Sequence, residues 1–311
     1  MQRVREQVED IFGERTDGGA GITMALLDTG VAPHPDLEGK ILRFRDFVSQ
    51  SVVTNSDDGI SYDDNGHGTH VAGILCGSGL LSGGRYRGLA PGARLVVGKV
   101  LDERGDGSTE AMLQGLDWIM AMREQYRIRI LNISVGIGDL DDKWKEQALK
   151  EKLEELWHLG MLVVCAAGNK GPGDGTVSSV GGSSKVVTVG CHDGSFRAGA
   201  PWRCANYSGR GARGTAVRKP DLVAPGTDIV SCGGGCYRIR GRWLNAYVAK
   251  SGTSMATPIV SGAAALCLQR FPSMTNEECK QKLQYTATDL SEPWNQQGWG
   301  MVNVRRLLEQ K

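Results

Sequence analysis

The chain has 311 residues, 36 basic and 35 acidic, for a net charge of +1. That balance gives no electrostatic case for nucleic acid or a membrane surface as partner, and no apolar run approaches the roughly 18 residues of a membrane span. The 44 glycines against 10 prolines point to tight turns and close backbone approaches rather than disorder, because apolar runs recur throughout.

The N-terminus, Met-Gln-Arg-Val-Arg-Glu-Gln-Val-Glu-Asp, is charged from its start and lacks the apolar stretch of about 7–15 residues that a secretory signal needs. The preferred reading is cytoplasmic; the alternative is a secreted protein whose signal and propeptide fall outside this sequence. Further on, short apolar, β-branched segments alternate with helical patterns, as in a parallel sheet with helices on both faces. Strands are expected at 22–27, 95–100, 130–134, 161–165, 186–189 and 228–231, and helices at 67–76, 109–123, 144–158, 254–269, 276–287 and 302–309. Polar caps with acidic first turns, Thr109-Glu110 and Thr275-Asn276-Glu277-Glu278, mark two helix starts. No repeat or linker divides the chain, so residues 21–311 are expected to form one domain behind an N-terminal extension, 1–20. Polar or Gly-rich loops at 55–65, 80–87 and 170–184 are of the kind that carries binding sites above a rigid sheet.

Most of the eight cysteines lie in apolar patterns, such as Val163-Val-Cys165-Ala and Ala265-Leu-Cys267-Leu, and read as buried thiols that reach no partner. Cys232 and Cys236 flank three glycines and leave closure of a small ring open; C-x₃-C without a second pair is a poor zinc half-site.

Three segments carry chemistry. Ala25-Leu-Leu-Asp28-Thr-Gly30 ends an apolar strand in a carboxylate, at the carboxyl edge where open α/β sheets build sites. Alone, Asp28 is a weak signal and reads more readily as a turn or cap residue. In Asp64-Asn65-Gly66-His67-Gly68-Thr69-His70, a histidine opens a helix of small residues that sits close to the sheet; a structural histidine is the plain alternative, and a metal pair lacks a third ligand. In Ser251-Gly-Thr-Ser254-Met-Ala-Thr-Pro258, a serine in a first helical turn meets unpaired N–H groups and the positive end of the helix dipole, or simply caps the helix.

Together the three segments, with Asp28, His67 and Ser254 spaced 39 and 187 residues apart, closely resemble the subtilase family of serine proteases (peptidase S8) over roughly 21–309. The resemblance implies a three-layer α/β fold with a mostly parallel sheet and an endopeptidase acting through an acyl-enzyme. Asp28, His67 and Ser254 would form its triad. Val163-Val-Cys-Ala-Ala-Gly168-Asn169 resembles the oxyanion segment, so Asn169 and the N–H of Ser254 would bind the oxyanion. Ser134, Val135 and Gly136 resemble one wall of the primary pocket, Ala166, Ala167 and Gly168 the other, with Ser178 at the floor and Asn65 beside the site. With no acid there, apolar side chains before the scissile bond are expected. Gly105, Asp106 and Gly107 resemble the edge that pairs with extended polypeptide substrate.

The departures are informative. The stretch after the histidine helix, Gly77 to Pro91, lacks Asn and Asp and carries Arg85 and Arg87 where secreted members hold calcium, although Asp36 matches one ligand of that site. In this it looks more like the AprX-like intracellular branch, and no tight metal site is expected. The acids Asp57, Asp58, Asp63 and Asp64 bind calcium loosely on one reading and are a solvated, substrate-facing loop on the other. No redox or organic cofactor is required.

Overall fold

The strand Thr23-Met-Ala-Leu-Leu-Asp28 (β1) is buried along its whole length, and its side chains divide between two cores. Met24 and Leu26 point to one, Ala25 and Leu27 to the other, which is the period-two alternation of a strand covered on both faces. In this computed structural model, which describes residues 17–49, 60–135, 143–193 and 204–309, β1 lies inside a seven-stranded sheet. The other members are β2 (Ile41–Asp46), β3 (Arg94–Lys99), β4 (Ile128–Ile133), β5 (Leu162–Ala166), β6 (Val187–His192) and β7 (Leu222–Pro225). Their order is β2-β3-β1-β4-β5-β6-β7, with every neighbouring pair parallel.

Helices α1 (His67–Cys76) and α4 (Thr253–Arg270) cover one face, where Ile74 and Leu75 meet Ile259 and Ala263. α2 (Thr109–Tyr126) and α3 (Lys143–His158) cover the other through Leu116, Ile119, Leu149 and Leu153. α5 (Asn276–Thr286), the single turn α6 (Trp294–Gln297) and α7 (Val304–Leu308) complete the chain. The result is the three-layer α/β arrangement expected. The cap of α2 lies one residue before the expected position: Ser108 accepts the Ala111 N–H at 3.0 Å. α5 has the expected capping box between Thr275 and Glu278.

Two expectations shift. The strand expected at 228–231 exists as β8 (Ile229–Cys232) but stands outside the large sheet, paired antiparallel with β11 (Tyr247–Lys250). Between them rises a hairpin, β9 (Tyr237–Ile239) and β10 (Arg242–Leu244), whose strands of three residues each are too short to stand out in the sequence. At the other end of the chain, the turn at 17–20 is tied to the core: Gly19 N–H donates to the Gln269 side chain at 2.7 Å, and Gly92 N–H to the Gly18 carbonyl at 2.8 Å.

Candidate active site

β1 delivers Asp28 fully buried to the carboxyl edge of the sheet. One carboxylate oxygen accepts the Thr29 N–H at 2.8 Å and the Nδ1–H of His67 at 2.7 Å. The second oxygen is buried with no hydrogen-bond partner among the described residues, so His67 is the principal answer to this charge. His67 is the first residue of α1, entered through Gly66 at φ +88°, and is partly open to solvent.

Asp63 organises that helix start. Its oxygens accept the N–H groups of Asn65, Gly66 and Thr69 and the hydroxyls of Thr29 and Thr69, at 2.6–3.1 Å. Thr29 in turn accepts the Gly68 N–H at 2.9 Å, and the Asn65 side chain accepts that of His67 at 3.1 Å. Gly68 has to be glycine: a Cβ there would lie 2.0 Å from the Gly30 carbonyl oxygen. The orphan amides of the helix terminus are thereby joined to the loop that follows Asp28, which fixes the imidazole over the carboxylate. Burial pulls the His67 pKa down, but the charge and hydrogen bond of Asp28, with help from Asp63, outweigh it and leave the pKa raised.

His70, three residues on, has a different task. Its Nε2–H is shared between the carbonyls of Ile229 and Val248, at 2.9 and 3.0 Å, which ties α1 to the β8–β11 pair. Burial lowers its pKa to about 4. The two histidines therefore do not form a metal pair.

Ser254, half-buried, is the second residue of α4. The helix is entered through Gly252 at φ 153° and ψ 163°, a conformation essentially reserved for glycine. Pro258 has no N–H to give the Ser254 carbonyl, while the Thr257 hydroxyl caps the Thr253 carbonyl at 2.8 Å. Among the described residues the Ser254 hydroxyl makes no side-chain hydrogen bond, to His67 or to another group, so its rotor is free; such contacts often tighten only when substrate arrives. Asn169 follows β5 and Gly168, which has φ +88°. Its Oδ1 accepts both the N–H of Thr253 at 3.0 Å and the hydroxyl of Thr253 at 3.1 Å. Two donors on one side settle the amide's orientation and leave its NH₂ for another acceptor.

The expected pocket residues gather around these elements. Ser134 is buried just past β4, where Asn132 links it to Ser261 of α4 by bonds of 2.8 Å each; Val135 is half-buried, and Gly136 lies outside the described residues. Ala166 and Ala167 are buried. The Ser178 hydroxyl donates to the Ala166 carbonyl at 3.2 Å and its N–H to that of Ala167 at 2.9 Å, which sets it against that wall. Gly105, Asp106 and Gly107 form an exposed turn, held as Asp102 accepts the N–H groups of Arg104 and Asp106 at 2.9 Å each. The Asn65 side chain donates to the Glu103 carbonyl at 3.0 Å, bringing this turn beside His67.

Beside Asp28 a buried cation went unforeseen. Lys99 ends β3 almost fully buried, and its ammonium donates to the Thr29 and Leu101 carbonyls and to Asp64 at 2.7–2.9 Å. It supports the loop behind Asp28. Its only sequence signal is a lysine closing an apolar strand, which reads as an exposed strand end.

The residues around Asp36 do not fit a calcium ion. Its carboxylate faces donors, the Leu81 N–H at 3.0 Å and the Tyr247 hydroxyl at 2.7 Å, and Tyr247 packs on Tyr86 beside Arg85. His34, Asp36 and Cys232 lie close together, yet both His34 ring nitrogens are engaged, by the Asp36 N–H and the Ala246 carbonyl. Asp63 and Asp64 serve the contacts above, while Asp57 and Asp58 lie outside the described residues. All eight cysteines are free thiols. Cys267, expected to reach no disulfide partner, is buried and free, and its thiol donates to the Met274 sulfur at 3.6 Å. No helix among the described residues is long and apolar enough to cross a membrane.

Known proteins match nearly the whole molecule. Residues 19–300 match the subtilase family model (Peptidase S8). The chain belongs to the subtilase family. It is 41% identical over 308 residues to the serine protease AprX of Bacillus subtilis, across 95% of this chain and 68% of that protein. It is 34% identical over 286 residues to subtilisin Savinase of Lederbergia lenta, covering 92% and 90% of the two chains. Among solved structures, sphericase superposes with a TM-score of 0.80 at 28% identity, over 96% of this chain and 97% of that one. This subtilase is a serine endopeptidase, and its substrates are polypeptides.

Proposed function

We propose that Ser254 is the nucleophile of this endopeptidase, His67 its general base and acid, and Asp28 the residue that holds the imidazole. A serine hydroxyl is a weak nucleophile at neutral pH; His67 Nε2 takes its proton as Oγ attacks the scissile carbonyl, and then delivers it to the leaving amine. The tetrahedral oxyanion forms at the N-terminus of α4, where the Ser254 N–H and the Asn169 NH₂ receive it. Water then repeats the sequence on the acyl-enzyme. The observation that carries this reading is the 2.7 Å bond from His67 Nδ1 to buried Asp28, which leaves Nε2 as the basic nitrogen. A fluorophosphonate probe tests it: wild type should be labelled at Ser254, and Ser254→Ala should be neither labelled nor active, with thermal stability nearly unchanged. Labelling elsewhere, or residual turnover well above background, would refute it.

The acyl part of the substrate lies extended along Gly105, Asp106 and Gly107 and against Ser134 and Val135. The side chain before the scissile bond enters between Val135 and the wall from Ala166 to Gly168, with Ser178 at its end. The described part of this wall is uncharged, which favours apolar side chains. No calcium ion is required; the donors facing Asp36 support this. The catalytic domain is assigned to 21–311, and the compartment to the cytoplasm, in keeping with eight free thiols of which seven are buried.

A further inference from the structure

Every residue of the β9–β10 hairpin is exposed, including Tyr237, Ile239, Trp243 and Leu244 at 39–52% of their surface. Its turn, Arg240-Gly241, has φ +47° and +82°, the two positive angles of a type I′ hairpin. The register sets Tyr237 opposite Leu244 and Ile239 opposite Arg242 on one face; on the other, the Arg238 guanidinium lies 5.7 Å from the ring of Trp243. No Asp or Glu occurs between Asp228 and Glu277, so the basic charge of Arg238, Arg240 and Arg242 is locally unopposed in the sequence. The outer edges of both strands lack a strand partner among the described residues. A bare two-stranded ribbon is marginal in water, and one that exposes apolar side chains and open edges suits an added extended chain.

The root of the hairpin fixes where that chain would lie. Gly233 N–H donates to the Ala246 carbonyl at 2.8 Å, and Gly234 packs so closely on Gly66 that a Cβ would lie 2.6 Å from the Gly66 Cα. Gly66 immediately precedes His67, and β11 ends four residues before Ser254. During acylation His67 passes its proton to the departing amine, so the portion of substrate after the scissile bond leaves across His67, while the acyl portion stays with Ser254 and Asn169.

We propose that the β9–β10 hairpin binds the polypeptide substrate on the leaving side of the scissile bond, and that its arginines select acidic residues there. The inference rests on the catalytic roles proposed above for His67 and Ser254.

Two kinds of substrate separate the two readings. A short peptidyl anilide carries only an uncharged aryl amine beyond the scissile bond, too short to reach the hairpin, and reports catalysis alone. Quenched-fluorescence peptides with one acyl sequence, followed by Asp/Glu-rich or Lys-rich residues, report the hairpin. At low salt, wild type should cleave the acidic series about tenfold faster in kcat/KM than the basic one, the sum of two or three exposed charge pairs. The preference should shrink as salt is raised. Arg240→Glu/Arg242→Glu should invert it while anilide turnover stays within about twofold, which also shows that the variant is folded. Equal cleavage of both series by wild type, or a preference untouched by the charge reversal, would overturn the proposal. So would a concentration-dependent dimer lost in the variant, which would assign the surface to a second copy of the chain. Failure of wild type on the anilide would instead overturn the catalytic reading.

Discussion

Thr253 holds Asn169 by two hydrogen bonds to one oxygen, from its backbone N–H and from its hydroxyl. The residue beside the proposed nucleophile thus aims the amide proposed to bind the oxyanion. Asn169→Ala should reduce kcat by about 10²–10³, or ~3–4 kcal/mol, with KM little changed. Thr253→Val removes only the hydroxyl donor and should cost about 1 kcal/mol in kcat. Steady-state kinetics on one peptide decides it; a rise in KM at constant kcat would make Asn169 a binder of ground-state substrate.

In the proposed mechanism His67 must be neutral to accept the serine proton, and Asp28 stabilises its charged form. The raised pKa therefore places the acid limb of kcat/KM above the ordinary imidazole value of 6.5, with activity lost as pH falls through it. Asp28→Asn should lower kcat by about 10⁴ and move the limb downward. A pH–rate profile of both proteins is the measurement, and an unmoved limb would exclude this pairing.

His70 sets a separate acid limit, on stability. Folded, its pKa is about 4; unfolded, it returns to about 6.5. Between those values the unfolded chain binds more protons, so stability is complete above 6.5 and falls as pH drops toward 4, by about 3 kcal/mol. Urea midpoints taken from pH 7 to pH 4 should show this slope, and His70→Gln should flatten it while lowering the neutral-pH midpoint.

The Asp36 carboxylate is met by donors, the Leu81 N–H and the Tyr247 hydroxyl. Chelator should therefore move the unfolding midpoint by no more than about 3 °C, the equivalent of roughly 1 kcal/mol in a chain of this size. A dithiol reductant should do no more, because no disulfide is present. A fall of about 10 °C with chelator would reveal a strong metal site, and the same fall with reductant a disulfide.

A peptide library should show preference for medium or large apolar side chains before the scissile bond, over Arg or Lys by on the order of 10² in kcat/KM. A dominant preference for Arg or Lys would move attention to Asp63 and Asp64.

What the sequence disclosed follows from how each signal is written. His67 to Cys76 is found at both ends, because Gly66 and Gly77 punctuate a run of small and apolar residues. β2 passed unnoticed because Ile-Leu-Arg-Phe-Arg-Asp mixes charge into an edge strand, and β7 because it has only four residues ending in proline. The hairpin was missed because its alternation, Tyr237-Arg-Ile239, spans a strand of only three residues. At the site, the residues placed by motif were legible, but Lys99, Asp63 and Thr253 work through folded contacts with loops that a linear motif does not display. Cys165 and Cys267 are buried and free, as their place in apolar elements suggested.

α4 runs through the interior with nearly all its residues buried, and its second position is the proposed nucleophile. A protease in solution is surrounded by its own kind, each copy food for the next. Cleavage needs several residues drawn out into an extended strand, and from α4 that requires taking the core apart. Self-digestion must therefore begin elsewhere, at exposed turns such as 102–107 or 237–245, and a first cut at either would blunt substrate handling before it freed Ser254 from its helix. Preparations left to age should lose their taste for long substrates first and their reactivity toward a small probe last.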